Sequence, residues 1–164
     1  MNKQDVAEVL AKPYSQQLLG ASLPARLAYT GLDGGPRVIP IPFHWDGSRL
    51  VMATVPASAK VRALRENPRV AITVDTNDYP PKALLIRGTA TIEIVDGLPD
   101  AYLAASRKMV PPSEFPSWEA GVRALYSQMA VITIEPDWAK LLDFETTIPK
   151  AVEDLVKALG DPRG

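Results

Sequence analysis

The chain contains no cysteine and only one histidine, His44. The first absence excludes disulfides, thiolate metal ligands and a cysteine nucleophile, and it fits a reducing cytoplasm. The second excludes a histidine-rich zinc centre, and no metal site is expected. His44 is the sole imidazole base for a Ser-His-Asp triad, yet no nucleophile elbow accompanies it. No apolar run approaches the ~20 residues of a membrane span, and no secretory leader pattern opens the sequence. Neither sign of charge is in excess: 18 Lys and Arg stand against 19 Asp and Glu, for a net charge of −1. That balance lacks the basic footprint of a nucleic-acid or anionic-membrane binder. Gly31, Gly34 and Gly35 have the wrong spacing for a dinucleotide fingerprint and precede a hairpin rather than a helix. Asp143 and Glu145, flanking Phe144, read as solvated residues rather than a glycosidase pair. With acid–base groups this sparse, difficult chemistry falls to a cofactor.

The composition itself is that of a globular domain. Hydrophobic residues make up 46% and charged residues 23% of 164 positions, which suits one domain, 1–164, with a substantial core. The 16 prolines are scattered at element boundaries rather than gathered into a linker. A helical region covers about 3–19, with Val6, Val9, Leu10, Leu18 and Leu19 apolar and Pro13 as a breaker, hence one or two short helices. Strands are expected at Ala25–Thr30, Arg37–Trp45, Arg49–Val55, Arg69–Asp75, Leu84–Val95 and Ala130–Glu135, with tight turns at Asp33-Gly34-Gly35 and Asp46-Gly47. Gly88 marks a bulge in the longest strand. Short helices follow at Ser58–Arg65, Asp100–Lys108 and Trp118–Tyr126, and an amphipathic helix at about 149–159 closes the chain. The fold class is mainly β with flanking helices: a six-stranded antiparallel split β-barrel of Greek-key type.

Two segments carry the functional signal. In Arg37-Val38-Ile39-Pro40-Ile41-Pro42-Phe43 the prolines recur at every second position. Residues two apart in a strand send their main-chain groups to the same edge. Pro40 and Pro42 therefore strip donors from one edge and leave carbonyls, which places the strand at an edge or an opening. Such an edge can accept a hydrogen bond from a ligand donor such as the imide N–H of an isoalloxazine ring. Ordinary protection against edge-to-edge aggregation is the competing explanation. Val38, Pro40 and Pro42 face one way, and Ile39, Ile41 and Phe43 face the core.

The second segment is the start of the helix after Pro56. Ser58 suits the N-cap, but Lys60 lies in the first turn, where it opposes the positive end of the helix dipole. A bound anion reverses the sign of that interaction. Thr54, Ser58 and Lys60 offer two hydroxyls and an ammonium to one phosphate; a solvated surface lysine is the alternative.

These residues resemble the flavin-binding split barrel of the pyridoxamine-phosphate-oxidase-like superfamily. The likeness runs from Arg26 to Val95, through Gly34-Gly35-Pro36-Arg37-Val38-Ile39-Pro40-Ile41-Pro42-Phe43, Trp45-Asp46-Gly47, Ala53-Thr54, Ser58-Ala59-Lys60 and Leu64-Arg65-Glu66-Asn67-Pro68-Arg69-Val70. The resemblance implies that the strand at Arg37, Val38, Ile39, Pro40 and Pro42 lies along a flavin ring. It implies that Ala53, Thr54, Ser58 and Lys60 hold the phosphate, and that a homodimer carries cofactors at its interface. Ala59 stands where many members place arginine. The tail Ala158-Leu159-Gly160-Asp161-Pro162-Arg163-Gly164 lacks the basic motif with which true pyridoxamine-phosphate oxidases grip their substrate, so vitamin B6 phosphates are not expected as substrates.

The resulting expectation is a cytoplasmic oxidoreductase using FMN, or alternatively a 5-deazaflavin, with a small-molecule substrate and no nucleic-acid or membrane partner. A non-catalytic flavin, deazaflavin or haem carrier, store or sensor is the second possibility. No catalytic residue is assigned. Arg87, Trp138 and His44 stand outside the expected site: each has a functional reading and an ordinary structural one.

Overall fold

The computed structural model describes residues 1–160 of the chain; Asp161–Gly164, the end of the tail considered above, lie outside the described residues. The molecule is mainly β with flanking helices. Two short helices open it, α1 (Lys3–Ala11) and α2 (Pro13–Gly20). Asn2 and Asp5 form a reciprocal capping box at the start of α1: the Asn2 amide oxygen accepts from the Asp5 N–H at 2.8 Å. Pro13 cannot continue α1 but suits the first turn of a new helix, so the expected region 3–19 divides there. Val6, Leu10, Leu18 and Leu19 are buried.

The strands are β1 (Ala25–Thr30), β2 (Pro36–Ile41), β3 (His44–Trp45), β4 (Leu50–Thr54), β5 (Arg69–Asp75), β6 (Ala83–Asp96) and β7 (Gln128–Leu142). They form one antiparallel sheet in the order β2-β1-β5-β6-β7-β4-β3. Seven strands in an open ladder replace the six-stranded barrel expected from the sequence. The difference arises within Arg37–Trp45. That segment breaks after Ile41, and its halves β2 and β3 lie at opposite ends of the ladder. Only Pro42 and Phe43 separate the halves, so the sheet must curl until its two edges approach each other. No β2–β3 pairing closes it. The outward edge of β2 explains this, because proline has no N–H to give to a further strand.

The last strand also differs from expectation, running on past Glu135 to Leu142. Pro136 is tolerated because the register with β6 shifts between Arg87 and Gly88, directly opposite it. The expected bulge at Gly88 is therefore present.

The inner face of the sheet carries the core. Leu27, Ile72, Ile86 and Ala139 form one cross-strand row, and Val74, Leu84 and Leu141 another. Phe43 is fully buried at the joint between the two edges. Above its ring, 3.8 Å from the centroid, stands the ammonium of Lys108, which also donates to the Leu19 carbonyl at 3.1 Å. Burial lowers the Lys108 pKa to about 8. The aromatic face and the carbonyl are the two contacts that favour its charged form.

The remaining helices are α3 (Ala59–Glu66), α4 (Asp100–Arg107), α5 (Phe115–Leu125) and α6 (Lys150–Ala158). Asp143, expected to be solvated, is instead 2% exposed. It holds the loop between β7 and α6, accepting from the backbone N–H groups of Glu145, Thr146 and Thr147 and from the Thr146 hydroxyl. No helix among the described residues is long and apolar enough to cross a membrane.

Candidate cofactor site

The proline strand occupies a free edge of the sheet, because β2 pairs with β1 alone. Pro36 stands opposite Thr30 and Pro40 opposite Arg26. A proline within a paired strand must turn its nitrogen away from its partner. The outward edge therefore belongs to Pro36, Val38 and Pro40, and Pro42 continues the alternation. Among these four residues only Val38 retains an N–H, while all four retain carbonyls. Side chains follow the expected alternation: Val38, Pro40 and Pro42 are exposed, Ile39 is half-buried, and Ile41 and Phe43 are buried.

Thr54, Ser58 and Lys60 meet at the end of β4. The chain leaves the strand at Val55, turns with the Ser58 N–H bonded to the Val55 carbonyl, and enters α3 with Ser58 as N-cap. The Ser58 hydroxyl does not cap the helix. It accepts instead from the Lys60 ammonium at 2.9 Å, and the Thr54 hydroxyl lies 3.4 Å from the same nitrogen. Burial lowers the pKa of Lys60. No carboxylate of the described residues lies within ion-pair distance of it. A half-buried ammonium with two hydroxyls, free helical N–H groups beside it and no counter-charge fits a phosphate dianion.

The other expected residues lie around this cluster. Ala53 precedes Thr54 and, with Pro42, lines a hollow of about 430 Å³ beneath α4 and α5. Arg37 lines a separate hollow of about 260 Å³ together with Ala59 and the β1–β2 turn. Its guanidinium is bound to Asp33 at 2.7 Å, which ties it to the turn rather than to the Lys60 cluster. The Arg37 side chain and a Gly35 N–H hold the Asp33 carboxyl below its ordinary pKa. Val38 points away from both hollows, on the outer face of the sheet, and Ile39 packs against the core.

Residues outside the expected site also find explanations. Arg87 and Trp138 stand opposite each other across β6 and β7, with the guanidinium 4.3 Å from the indole centroid. Each thus satisfies the other. His44 begins β3 opposite Val51. Among the described residues no group of acidic or imidazole side chains could hold a metal ion.

Sequence reasoning gave Tyr102 no role, and for Trp118 and Tyr126 it weighed a place against a ring or in a substrate pocket below ordinary packing. In the structure all three border the hollow that contains Pro42, Ala53 and Thr54. The only available signal was a cluster of aromatics on the two helices that follow β6.

The sequence family described as Pyridoxamine 5'-phosphate oxidase matches residues 12–141. Among solved structures, an F420 reductase shares 26% identity, with 76% of this chain and 94% of that chain aligned at a TM-score of 0.57. A FAD-binding protein from Mesorhizobium loti shares 21% identity over 86% of this chain and 94% of its own, with a TM-score of 0.53. A conserved hypothetical protein from Mycobacterium tuberculosis shares 17% identity over 93% and 94%, with a TM-score of 0.56. The last two are likenesses of fold alone. No curated protein matches the chain.

Proposed function

The chain belongs to the pyridoxamine 5'-phosphate oxidase family, and on that premise we propose that it is an oxidoreductase binding a phosphorylated flavin, FMN or a 5-deazaflavin. The observation that carries this reading is the Lys60 ammonium, held by Thr54 and Ser58 without a counter-charge. When bound, such a cofactor supplies hydride transfer to or from a small organic substrate. The protein's part is positional. Lys60, Ser58 and Thr54 hold the phosphate at the α3 N-terminus, where the helix dipole adds to the attraction. The carbonyls of Pro40 and Pro42 would offer acceptors to a donor on the ring, and the Val38 N–H is the one main-chain donor on that edge. Ala53 has a side chain small enough to let the ring approach the β4 backbone. Arg37, bound to Asp33, fixes the turn that presents β2. Nothing in the site serves as an obligate protein acid, so protons are taken from solvent or from a hydroxyl.

A second copy of the chain completes the pocket in this reading. Its support is the exposed outer face of the sheet, where Val38, Ala28, Ala71, Arg87 and Trp138 form one continuous cross-strand row. Val38 is 67% exposed there, an apolar side chain suited to burial against a partner.

Lys60→Ala is expected to weaken FMN binding by about 30- to 100-fold, the value of one charge-assisted phosphate contact, while riboflavin affinity stays within about twofold. Side-by-side fluorescence titrations of wild type and variant with FMN, riboflavin and the deazaflavin measure both. An unchanged FMN affinity would remove Lys60 from the site, and no binding of any of the three to wild type would sink the cofactor reading.

A further inference from the structure

We propose that the hollow between β4, α4 and α5 receives the ring of the organic substrate, a flat and uncharged aromatic molecule, and that Tyr102, Trp118 and Tyr126 set its specificity. The proposal rests on the cofactor reading above, because the hollow shares Thr54 with the phosphate cluster and Pro42 and Ala53 with the surfaces assigned to the cofactor ring. A molecule lying in it would therefore be in contact with both halves of the cofactor site.

Size comes first. At about 430 Å³ the hollow falls within the range that takes small organic ligands. Its charge is equally informative: no Asp, Glu, Lys or Arg lines it. A charged ligand would lose hydration without a charged partner in the lining, and the nearby Lys60 ammonium, 3.4 Å from the Thr54 hydroxyl, is the cation assigned to the phosphate in the cofactor reading. An uncharged ligand loses little.

The walls select for flatness. The Trp118 ring lies 5.8 Å from that of Tyr102 at 32°, and Phe115 backs it at 5.3 Å and 36°. Phe115 is buried, so Trp118 is held as a fixed wall rather than a free flap. Aromatic faces at such spacings favour offset stacking with a further ring. Met109 and Met129 complete the lining with side chains that adapt to irregular shapes.

Hydroxyls supply the polarity: those of Thr54, Tyr102, Ser106 and Tyr126 line the hollow. Burial and then the neighbouring Tyr126 raise the pKa of Tyr102, so its phenol stays protonated and able to donate in neutral water. The Ser106 hydroxyl, in contrast, already donates to the Tyr102 carbonyl at 2.8 Å. The molecule that fits is aromatic, with one oxygen placed to accept from a phenol.

Calorimetric titration of the full chain without added cofactor tests this, using 2-naphthol, its saturated counterpart 2-decalol and the anion 2-naphthoate. The expectation is that 2-naphthol binds at least about tenfold more tightly than either of the others, and that Trp118→Ala and Tyr102→Ala each weaken it by about tenfold. Trp118→Phe should retain most of the affinity, and circular dichroism verifies that each variant is folded. FMN affinity in the Trp118 and Tyr102 variants should stay within about twofold of wild type. Equal binding of 2-decalol, or 2-naphthol affinity indifferent to Trp118, would overturn the proposal. So would a loss of FMN affinity in Trp118→Ala as large as that in Lys60→Ala, since the hollow would then belong to the cofactor. If wild type binds 2-naphthol as described but no flavin, the cofactor reading fails and the pocket stands.

Discussion

Gly88→Ala is expected to cost about 3 kcal/mol of stability and to lower the melting temperature by roughly 6–12 °C. A methyl group at this position would stand 2.4 Å from the Glu135 carbonyl oxygen and 3.0 Å from a methyl of Ile134. The oxygen belongs to the backbone of β7 and cannot swing aside as a flexible side chain would. Relief requires β6 and β7 to separate just where their register shifts. Both strands continue on either side of the bulge, so the strain is not confined to a loop. Thermal denaturation of wild type and variant measures the effect; a melting temperature within about 2 °C of wild type would show that the bulge relaxes at little cost.

Asp143→Ala is the other large effect, about 2–3 kcal/mol. One carboxylate oxygen accepts from the N–H groups of Glu145, Thr146 and Thr147 at 3.0, 2.8 and 2.8 Å, and the other from the Thr146 hydroxyl at 2.6 Å. Alanine would leave all four donors without that acceptor. It would also release Phe144, whose positive φ of 58° the loop imposes on a non-glycine residue. The ionisation has a matching pH signature. Burial alone would raise the Asp143 pKa, but the Thr146 hydroxyl and the three N–H groups outweigh it and bring it down to about 2 from 3.8. A carboxyl depressed in this way contributes its stability in full above its unfolded value and loses it as pH falls through the folded one. The stability difference between wild type and Asp143→Asn should therefore be largest above about pH 4 and shrink toward pH 2. A difference that does not vary with pH would show that the charge does not matter.

The proline strand and the Lys60 cluster were legible in the sequence for a common reason: both depend on local chemistry. A proline's missing N–H and a lysine in a first helical turn mean the same thing in any tertiary setting. Alternation likewise placed Ile41 and Phe43 inside and Val38, Pro40 and Pro42 outside. Features set by distant partners were not legible. The alternation of Arg37–Trp45 runs unbroken through Pro42 and Phe43, and a period of two cannot reveal that a strand changes edges. The last strand is expected to end at Glu135, whereas it runs on through Pro136, whose tolerance depends on Gly88 in another strand. Asp143 is the exception: its partners stand only two to four residues away, and a local turn of the aspartate onto the following N–H groups was overlooked. The hollow beneath α4 and α5 draws on β4 as well as on both helices, so the sequence shows its aromatics only as scattered residues.

The placement of β2 and β3 at opposite ends of the ladder also bears on the order in which the molecule assembles. The β5–β6 hairpin can zip from its short connection, whereas β7 must return to β6 past α4 and α5, and β4 must find β7 across a wider span still, with Leu50 opposite Ile134. Closing so large a loop is slow, because its entropy is lost before any contact compensates. The two ends of the ladder share one short joint, so seating β2 against β1 restricts where β4 can go, and an early misplacement of either blocks the other. Pulse-labelling hydrogen exchange should find the β4 amides protected after those of β5 and β6. Simultaneous protection would mean that the joint at Pro42 and Phe43 guides β4 to its place instead of delaying it.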